Sequence, residues 1–259
     1  MRRFGKPSGP LLRHKKDFLT ENDTLAARAK ELCGLYADQP RRERCKICST
    51  PLGEIAFSKL GIDYISCHHC GHLNGAHEDT DAFCHAVYTQ DDGEAYGQVY
   101  ETSDRKMYEN RVRDIYTPKA SFLIDALCHV GETPEELGYA DLGAGSGYFV
   151  AALACEGLRR VSGYEASAHQ VAFARAMNGD LDLIHHGLEE TISIAESVES
   201  DVVSMIGVLE HLQFPRETLA ALSANPRVRY IYLSVPLYSP CVFLEIAFPD
   251  VFPRQLSGG

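Results

Sequence analysis

Gly138-Tyr139-Ala140-Asp141-Leu142-Gly143-Ala144-Gly145-Ser146-Gly147-Tyr148-Phe149 begins as a short buried strand. It passes through a turn with glycine at every second position and enters a helix that continues Val150-Ala151-Ala152-Leu153-Ala154. Alternate glycines let the backbone bend sharply and let a ligand approach it closely. The helix start beyond them offers unpaired N–H groups. A phosphate-cradling loop would close on Gly-Lys-Ser/Thr, and no lysine stands here. A dinucleotide loop reads G-x-G-x-x-G, and the third glycine falls one residue early for it. What remains is D-x-G-x-G-x-G with Asp141 at the strand end; the alternative is a plain glycine turn joining strand to helix.

The residues that follow extend the pattern. Arg160-Val161-Ser162-Gly163-Tyr164-Glu165 reads as a second strand that ends in an acid. Glu165 stands about 20 residues beyond the loop, where an acid at a strand tip can hydrogen-bond both ribose hydroxyls. Residues 166–177 have helical spacing, with Val171, Ala174 and Met177 on one face. Leu181 to Ile184 is a third apolar run, Asp201 to Ile206 a fourth with its exit loop through Leu212, and Tyr230 to Val235 a fifth. Strands alternating with helices predict an α/β fold, a mostly parallel sheet with helices on both faces.

The D-x-G-x-G-x-G turn resembles the first motif of class I S-adenosylmethionine-dependent methyltransferases. Asp201-Val202-Val203 with Val208-Leu209-Glu210-His211-Leu212 is similar to that family's fourth motif. The resemblance covers roughly residues 136–240, with three motifs in the family's order. It implies a Rossmann-like sheet with Gly143, Ala144, Gly145 and Gly147 under the methionine part of the cofactor. It also implies that Asp141 helps hold the cofactor ammonium and Glu165 the ribose. Ala166, Gly187, Leu188 and Gly207, in the loops after the neighbouring strands, complete the implied cofactor contacts. Where the family often carries an acid for the adenine amine, this chain has His185-His186-Gly187-Leu188, so adenine recognition would rest on backbone groups. The family's sheet usually has seven strands. Only Pro236 to Gly259 follow the fifth here, interrupted by Pro240, Pro249 and Pro253, so the expectation is a domain over 131–259 with its last strands missing.

A second stretch carries its own chemistry. Cys45-Lys46-Ile47-Cys48 is followed by Cys67-His68-His69-Cys70-Gly71. Two C-x-x-C pairs about 18 residues apart can place four thiolates tetrahedrally around one Zn²⁺. Ile55-Ala56-Phe57 and Tyr64-Ile65-Ser66 between them read as the short strands of a zinc ribbon, and Gly71 suits the tight turn after the second pair. A dithiol redox motif needs one C-x-x-C and opens a helix. His68, His69, His72 and His77 are expected to be solvated loop residues. Four thiolates leave no open coordination position, so the zinc is expected to be structural, stabilising a module too small to bury much apolar surface.

The whole chain has 259 residues, net charge -11 and nine cysteines. The charge opposes general nucleic-acid affinity. The odd cysteine count and the lack of a secretory signal pattern near Met1 point to a reducing cytoplasm rather than a disulfide framework. No apolar run approaches the roughly 20 residues of a membrane span. Residues 1–38 read as a basic arm and a helix over 21–37 capped near Thr20-Glu21-Asn22-Asp23; 39–80 read as the zinc-ribbon module. Residues 81–130 read as a helical, tyrosine-rich linker or lid, with helices over 107–114 and 118–128 and a turn at Asp91-Asp92-Gly93. Tyr88, Tyr96, Tyr100, Tyr108 and Tyr116 either pack those helices on the sheet or, for one or two of them, reach the cofactor.

Within the resemblance, Glu210-His211 faces the methyl-transfer side. His211 has the range to take a proton from a hydroxyl or an acidic C–H, and Glu210 could orient it or bind the substrate. A cysteine-ligated module before such a domain, with Glu-His after the fourth strand, resembles sugar C-methyltransferases acting on nucleotide-linked deoxysugars. The tyrosine that those enzymes place two residues before the Glu is Val208 here, which makes O-methylation of a sugar or polyketide-type hydroxyl equally open. The expected partner is thus a small-molecule acceptor. The alternatives are an RNA base methyltransferase whose zinc ribbon reads the RNA, and a non-catalytic cofactor-binding or scaffold protein.

Overall fold

A computed structural model describes residues 18–90, 104–235 and 247–248. The arm before residue 18, the turn at Asp91-Asp92-Gly93, Tyr96, Tyr100, Pro240, Pro249 and Pro253 lie outside them. The chain divides into two compact units. One holds Asp17–Ala86 and Glu210–Arg216; the other holds Val87–Leu209 and Glu217–Val235.

In the cysteine-bearing unit, α1 (Phe18–Ala37) starts three residues before the expected position. An antiparallel sheet follows, β1 (Phe57–Lys59), β2 (Ile62–Ser66) and β3 (Leu73–Gly75) in that order, then α2 (Asp81–Tyr88). Leu60 and Gly61, at φ 52° and 80°, form the two-residue turn between β1 and β2. Positive φ at both positions matches the strands' right-handed twist and sets Lys59 opposite Ile62. That register is why β1 lies two residues beyond the expected 55–57 and leaves Ile55 exposed. The third strand has no counterpart in the sequence reading. Buried Arg42 is paired with Glu78 at 2.9 Å and Asp79 at 3.3 Å, and Lys46 reaches the same Asp79 at 2.5 Å. A buried cation persists only when compensated in this way. The Tyr36 hydroxyl donates to the His77 carbonyl at 2.5 Å and ties the end of α1 to the ribbon.

The other unit begins with α3 (Arg105–Arg111), a π-helical turn (Val112–Tyr116) and α4 (Thr117–His129), which Pro118 opens as expected. Five parallel strands follow: β4 (Tyr139–Leu142), β5 (Val161–Glu165), β6 (Asp182–His185), β7 (Val202–Ile206) and β8 (Tyr230–Ser234). Their order is β6-β5-β4-β7-β8. The connecting helices are α5 (Tyr148–Cys155), α6 (Ala168–Met177), α7 (Thr191–Ser197) and α8 (Pro215–Ala224). The sequence spacing had set no bounds for α7 or α8. The structure thus has the expected Rossmann-like α/β architecture.

The core centres on α5, where every residue from Tyr148 to Leu153 is buried. A helix apolar all round must be covered on all sides. Aromatic rings of the linker supply part of that cover: Tyr108 and Tyr116 both stack on Tyr148, with centroids 4.6 and 5.3 Å away. These two tyrosines are therefore packing residues. The topology reverses at β4, since β5 and β6 continue to one side and β7 and β8 to the other. Open parallel sheets bind ligands beyond the carboxyl ends of their strands at such a reversal.

Candidate cofactor cradle and metal centre

The glycine turn sits at that reversal. Gly143, Gly145 and Gly147 have φ of 68°, 55° and 70°, a region that side chains rarely enter. A Cβ at Gly143 would lie 2.6 Å from Val208 Cγ2, and one at Gly147 would lie 2.9 Å from Leu181 Cδ1. The first contact places the exit loop of β7 directly against the turn after β4. Val208 is thus in contact with the turn.

Two carboxylates stand at the strand tips. Glu165 Oε2 accepts the Gly145 amide at 2.7 Å and Oε1 accepts the Ser167 amide at 2.8 Å. Burial raises its pKa above the usual carboxylate range, although these amides pull it down. Asp141, 2% exposed, accepts the Ser204 hydroxyl at 2.6 Å. Burial pushes its carboxyl up to about 7, against the opposing pull of Ser204. From behind, Tyr108 donates its hydroxyl to the Ser146 carbonyl at 3.0 Å, and the Ser146 hydroxyl donates to Gln170 Oε1 at 3.2 Å. Sequence reasoning missed Ser204; its signal is a single hydroxyl inside the apolar run Val202-Val203-Ser204-Met205-Ile206.

The other expected cofactor residues fall on neighbouring loops. The Ala166 carbonyl lies 3.1 Å from His185 Nε2. Gly187 donates its amide to Glu190 Oε2 at 2.6 Å, and Leu188 opens the short helical turn that follows. Gly207, at φ 71°, donates its amide to the Ser234 carbonyl at 2.7 Å. Glu210 and His211 lie in the other unit, their side chains 3.9 Å apart. In the same unit Gln213 donates to Asp81 at 2.8 Å and Arg216 to the Ile47 carbonyl at 3.3 Å.

The donor set fits an adenosyl sulfonium. Two buried carboxylates suit a ligand with an ammonium, a sulfonium and a ribose diol. Each Glu165 oxygen has more than one acceptor site, so the amides of Gly145 and Ser167 fix the carboxylate without exhausting it. A cavity of about 470 Å³ lies elsewhere, lined by Leu137, Arg160, Asp201 and Arg229 at the amino ends of the strands. Ion pairs Arg229–Glu132 and Arg160–Asp201 hold its walls. It is at the wrong end of a parallel sheet for the cradle's chemistry.

In the cysteine-bearing unit, the sulfurs of Cys45, Cys48, Cys67 and Cys70 all lie within 4.8 Å of one another. Cys45–Cys70 and Cys48–Cys67 are 3.6 and 3.5 Å apart, too far for disulfides. A tetrahedral zinc with bonds of about 2.3 Å separates its sulfurs by about 3.8 Å, so the four fit the ion. The two knuckles repeat each other. The Ser49 amide donates to the Cys45 carbonyl and the Gly71 amide to the Cys67 carbonyl, both at 2.9 Å. Ser49 and Gly71 share a positive φ, 58° and 74°. The side-chain and backbone hydrogen bonds that Cys48 makes with Thr50 pull its thiol down to about 5. His68 and His69 are exposed, as expected. His77 is not a solvated loop residue: its Nδ1 lies 2.7 Å from the Gln39 carbonyl.

A parallel sheet carrying a glycine cradle and two strand-tip carboxylates at its topological reversal defines a Rossmann-like cofactor-binding domain. The chain belongs to the methyltransferase-domain family, which matches residues 120–251, just over half of it, and its domain is that of an S-adenosylmethionine-dependent methyltransferase. No curated protein matches the chain. Among solved structures it is similar to magnesium protoporphyrin IX methyltransferase from Synechocystis PCC 6803 with bound S-adenosylhomocysteine, at 16% identity and TM-score 0.48, over 67% of this chain and 80% of that one. An amino pentose methyltransferase from Micromonospora echinaspora involved in calicheamicin biosynthesis matches at 19% identity and TM-score 0.41, over 54% of this chain and 59% of that one. The plantazolicin methyltransferase matches at 14% identity and TM-score 0.45, over 68% and 64%. The chain therefore spans less than two thirds of the last two. All three scores fall below 0.5, so it is the family match that places the chain.

Proposed function

We propose that the cradle of Asp141, Gly143 to Gly147 and Glu165 binds S-adenosylmethionine, and that the protein methylates a small-molecule acceptor, a nucleotide-linked sugar or related metabolite. The observation that carries this reading is the pair of buried strand-tip carboxylates, one of them clamped onto the glycine turn. When bound, the cofactor supplies an electrophilic methyl group primed for in-line displacement.

The chain's own task is then alignment and proton control. Glu165 positions the ribose and Asp141 the ammonium. His211, five residues after the end of β7, is the proposed base that takes a proton from an acceptor hydroxyl or acidic C–H. Glu210 beside it is the proposed orienting group. Four thiolates would hold zinc in a closed site, so the metal's proposed role is structural. The net charge of -11 favours a small acceptor over RNA.

The test is turnover against a panel of nucleotide sugars, with His211→Ala beside wild type. The expected result is lost turnover with cofactor affinity kept; unchanged turnover removes the base assignment.

A further inference from the structure

Asn74 is among the most deeply buried polar side chains of the described residues, 2% exposed, and it sits in the middle of β3. Asparagine is depleted in strands, so its place needs a reason. Its amide is shared between the two cysteine knuckles. Oδ1 accepts the Lys46 amide at 2.9 Å, inside the first knuckle. Nδ2 donates to the His72 carbonyl at 3.1 Å, just after the second, and to the Ile65 carbonyl at 3.4 Å. The same Nδ2 lies 3.6 Å from Cys45 Sγ, in donor geometry. That His72 carbonyl also accepts the Cys67 amide at 2.9 Å. One side chain thus links both halves of the sulfur cluster and places an N–H donor within reach of one of its four sulfurs.

We infer that Asn74 is a positioning residue for the metal: it holds the two knuckles at the separation that a single ion requires and donates an N–H···S hydrogen bond to the Cys45 thiolate. The inference rests on the proposal that the four cysteines hold zinc. Zn²⁺ with four thiolates carries two net negative charges in a half-buried site, and hydrogen bonds to sulfur are how a protein disperses such charge. Asn74→Asp preserves shape and the acceptor for Lys46 but replaces the donor with an oxygen, placing a like charge beside the cluster.

The test uses the full chain and two probes. Zinc affinity is measured by competition with a chromophoric chelator, and Co²⁺ is loaded in place of zinc for spectroscopy. Asn74→Asp should bind zinc 10- to 100-fold more weakly than wild type. Its sulfur-to-cobalt charge-transfer band should move to lower energy, because a thiolate relieved of its hydrogen bond is the better electron donor. Because the added charge moves the band by itself, the neutral Asn74→Leu is loaded beside it: loss of the N–H···S bond should lower that variant's band as well, and a purely structural contact would leave it in place. If the variant does not fold, wild-type protein loaded with ¹¹³Cd answers instead: a scalar coupling between the metal and an Asn74 side-chain proton supports the bond, and its absence overturns it. Wild-type zinc affinity and an unmoved band in Asn74→Asp also overturn it. Failure of wild-type protein to bind zinc would sink the metal reading itself, a distinct outcome.

Discussion

Glu165 Oε2 accepts the backbone amide of Gly145 at 2.7 Å, across a separation of twenty residues. The contact joins the tip of one strand to the turn after its neighbour, so the shape of the turn depends on that carboxylate. Glu165→Ala strands two amides, those of Gly145 and Ser167, in a buried place. At about 1–3 kcal/mol for each orphaned group, the variant should lose several degrees of melting temperature. Differential scanning calorimetry checks this; an unchanged melting temperature would show that water replaces the carboxylate without loss.

Asp141 predicts a pH dependence with a definite sign. Its folded-state carboxyl is raised from 3.8 to about 7, chiefly by burial. Between those values the folded protein holds a proton that the unfolded chain has released, so this group's contribution to stability falls as pH rises through the window. Across that window the loss is on the order of 4 kcal/mol. The melting temperature of Asp141→Asn should therefore gain on wild type as pH is raised from about 4 to 7. A difference that stays flat with pH would contradict the raised carboxyl.

The same carboxyl should couple cofactor binding to protons. A cationic ligand favours the ionised form, so binding near pH 6 should release a proton. Calorimetric titrations in buffers of different ionisation enthalpy read this directly. Equal heats in all buffers would place the cation away from Asp141.

Metal removal should act on one unit selectively. Structural zinc contributes about 10–16 kcal/mol of apparent binding energy in small modules. Chelation should abolish amide protection between Arg41 and Asp79, where the knuckles and β1 to β3 lie, while β4 and β7 keep theirs. Hydrogen exchange with and without chelator separates the outcomes; protection retained in the cysteine module would mean that its core stands without the ion.

Tyr108→Phe isolates the support behind the cradle. Only the hydroxyl bonded to the Ser146 carbonyl is lost, while the stack on Tyr148 is kept. A cost of about 1 kcal/mol is expected, with a few-fold weaker cofactor binding, read by calorimetry.

The sheet was legible because its strands carry apolar residues between turn signals, and glycine at positions 143, 145 and 147 has a conformational reason that sequence displays. The four cysteines were legible for the same kind of reason, since two C-x-x-C pairs have the spacing that one ion's geometry would require. What escaped was set by contacts between distant residues. β3 is three residues long and contains Asn74, which sits there because of the two knuckles rather than any strand preference. β1 was misplaced because the turn at Leu60 and Gly61 decides its register. Ser204 matters only because its strand pairs with β4 and brings it to Asp141. The tyrosines at 108 and 116 could have faced a ligand or a helix, and the central position of Tyr148 decided for the helix.

The most direct test of the central claim is isothermal titration of S-adenosylmethionine into wild-type protein and Glu165→Gln. One cofactor should bind per wild-type chain, with at least a tenfold loss of affinity in the variant. No binding to wild type, or equal affinity in both, would contradict a cradle built from the glycine turn and its strand-tip carboxylate.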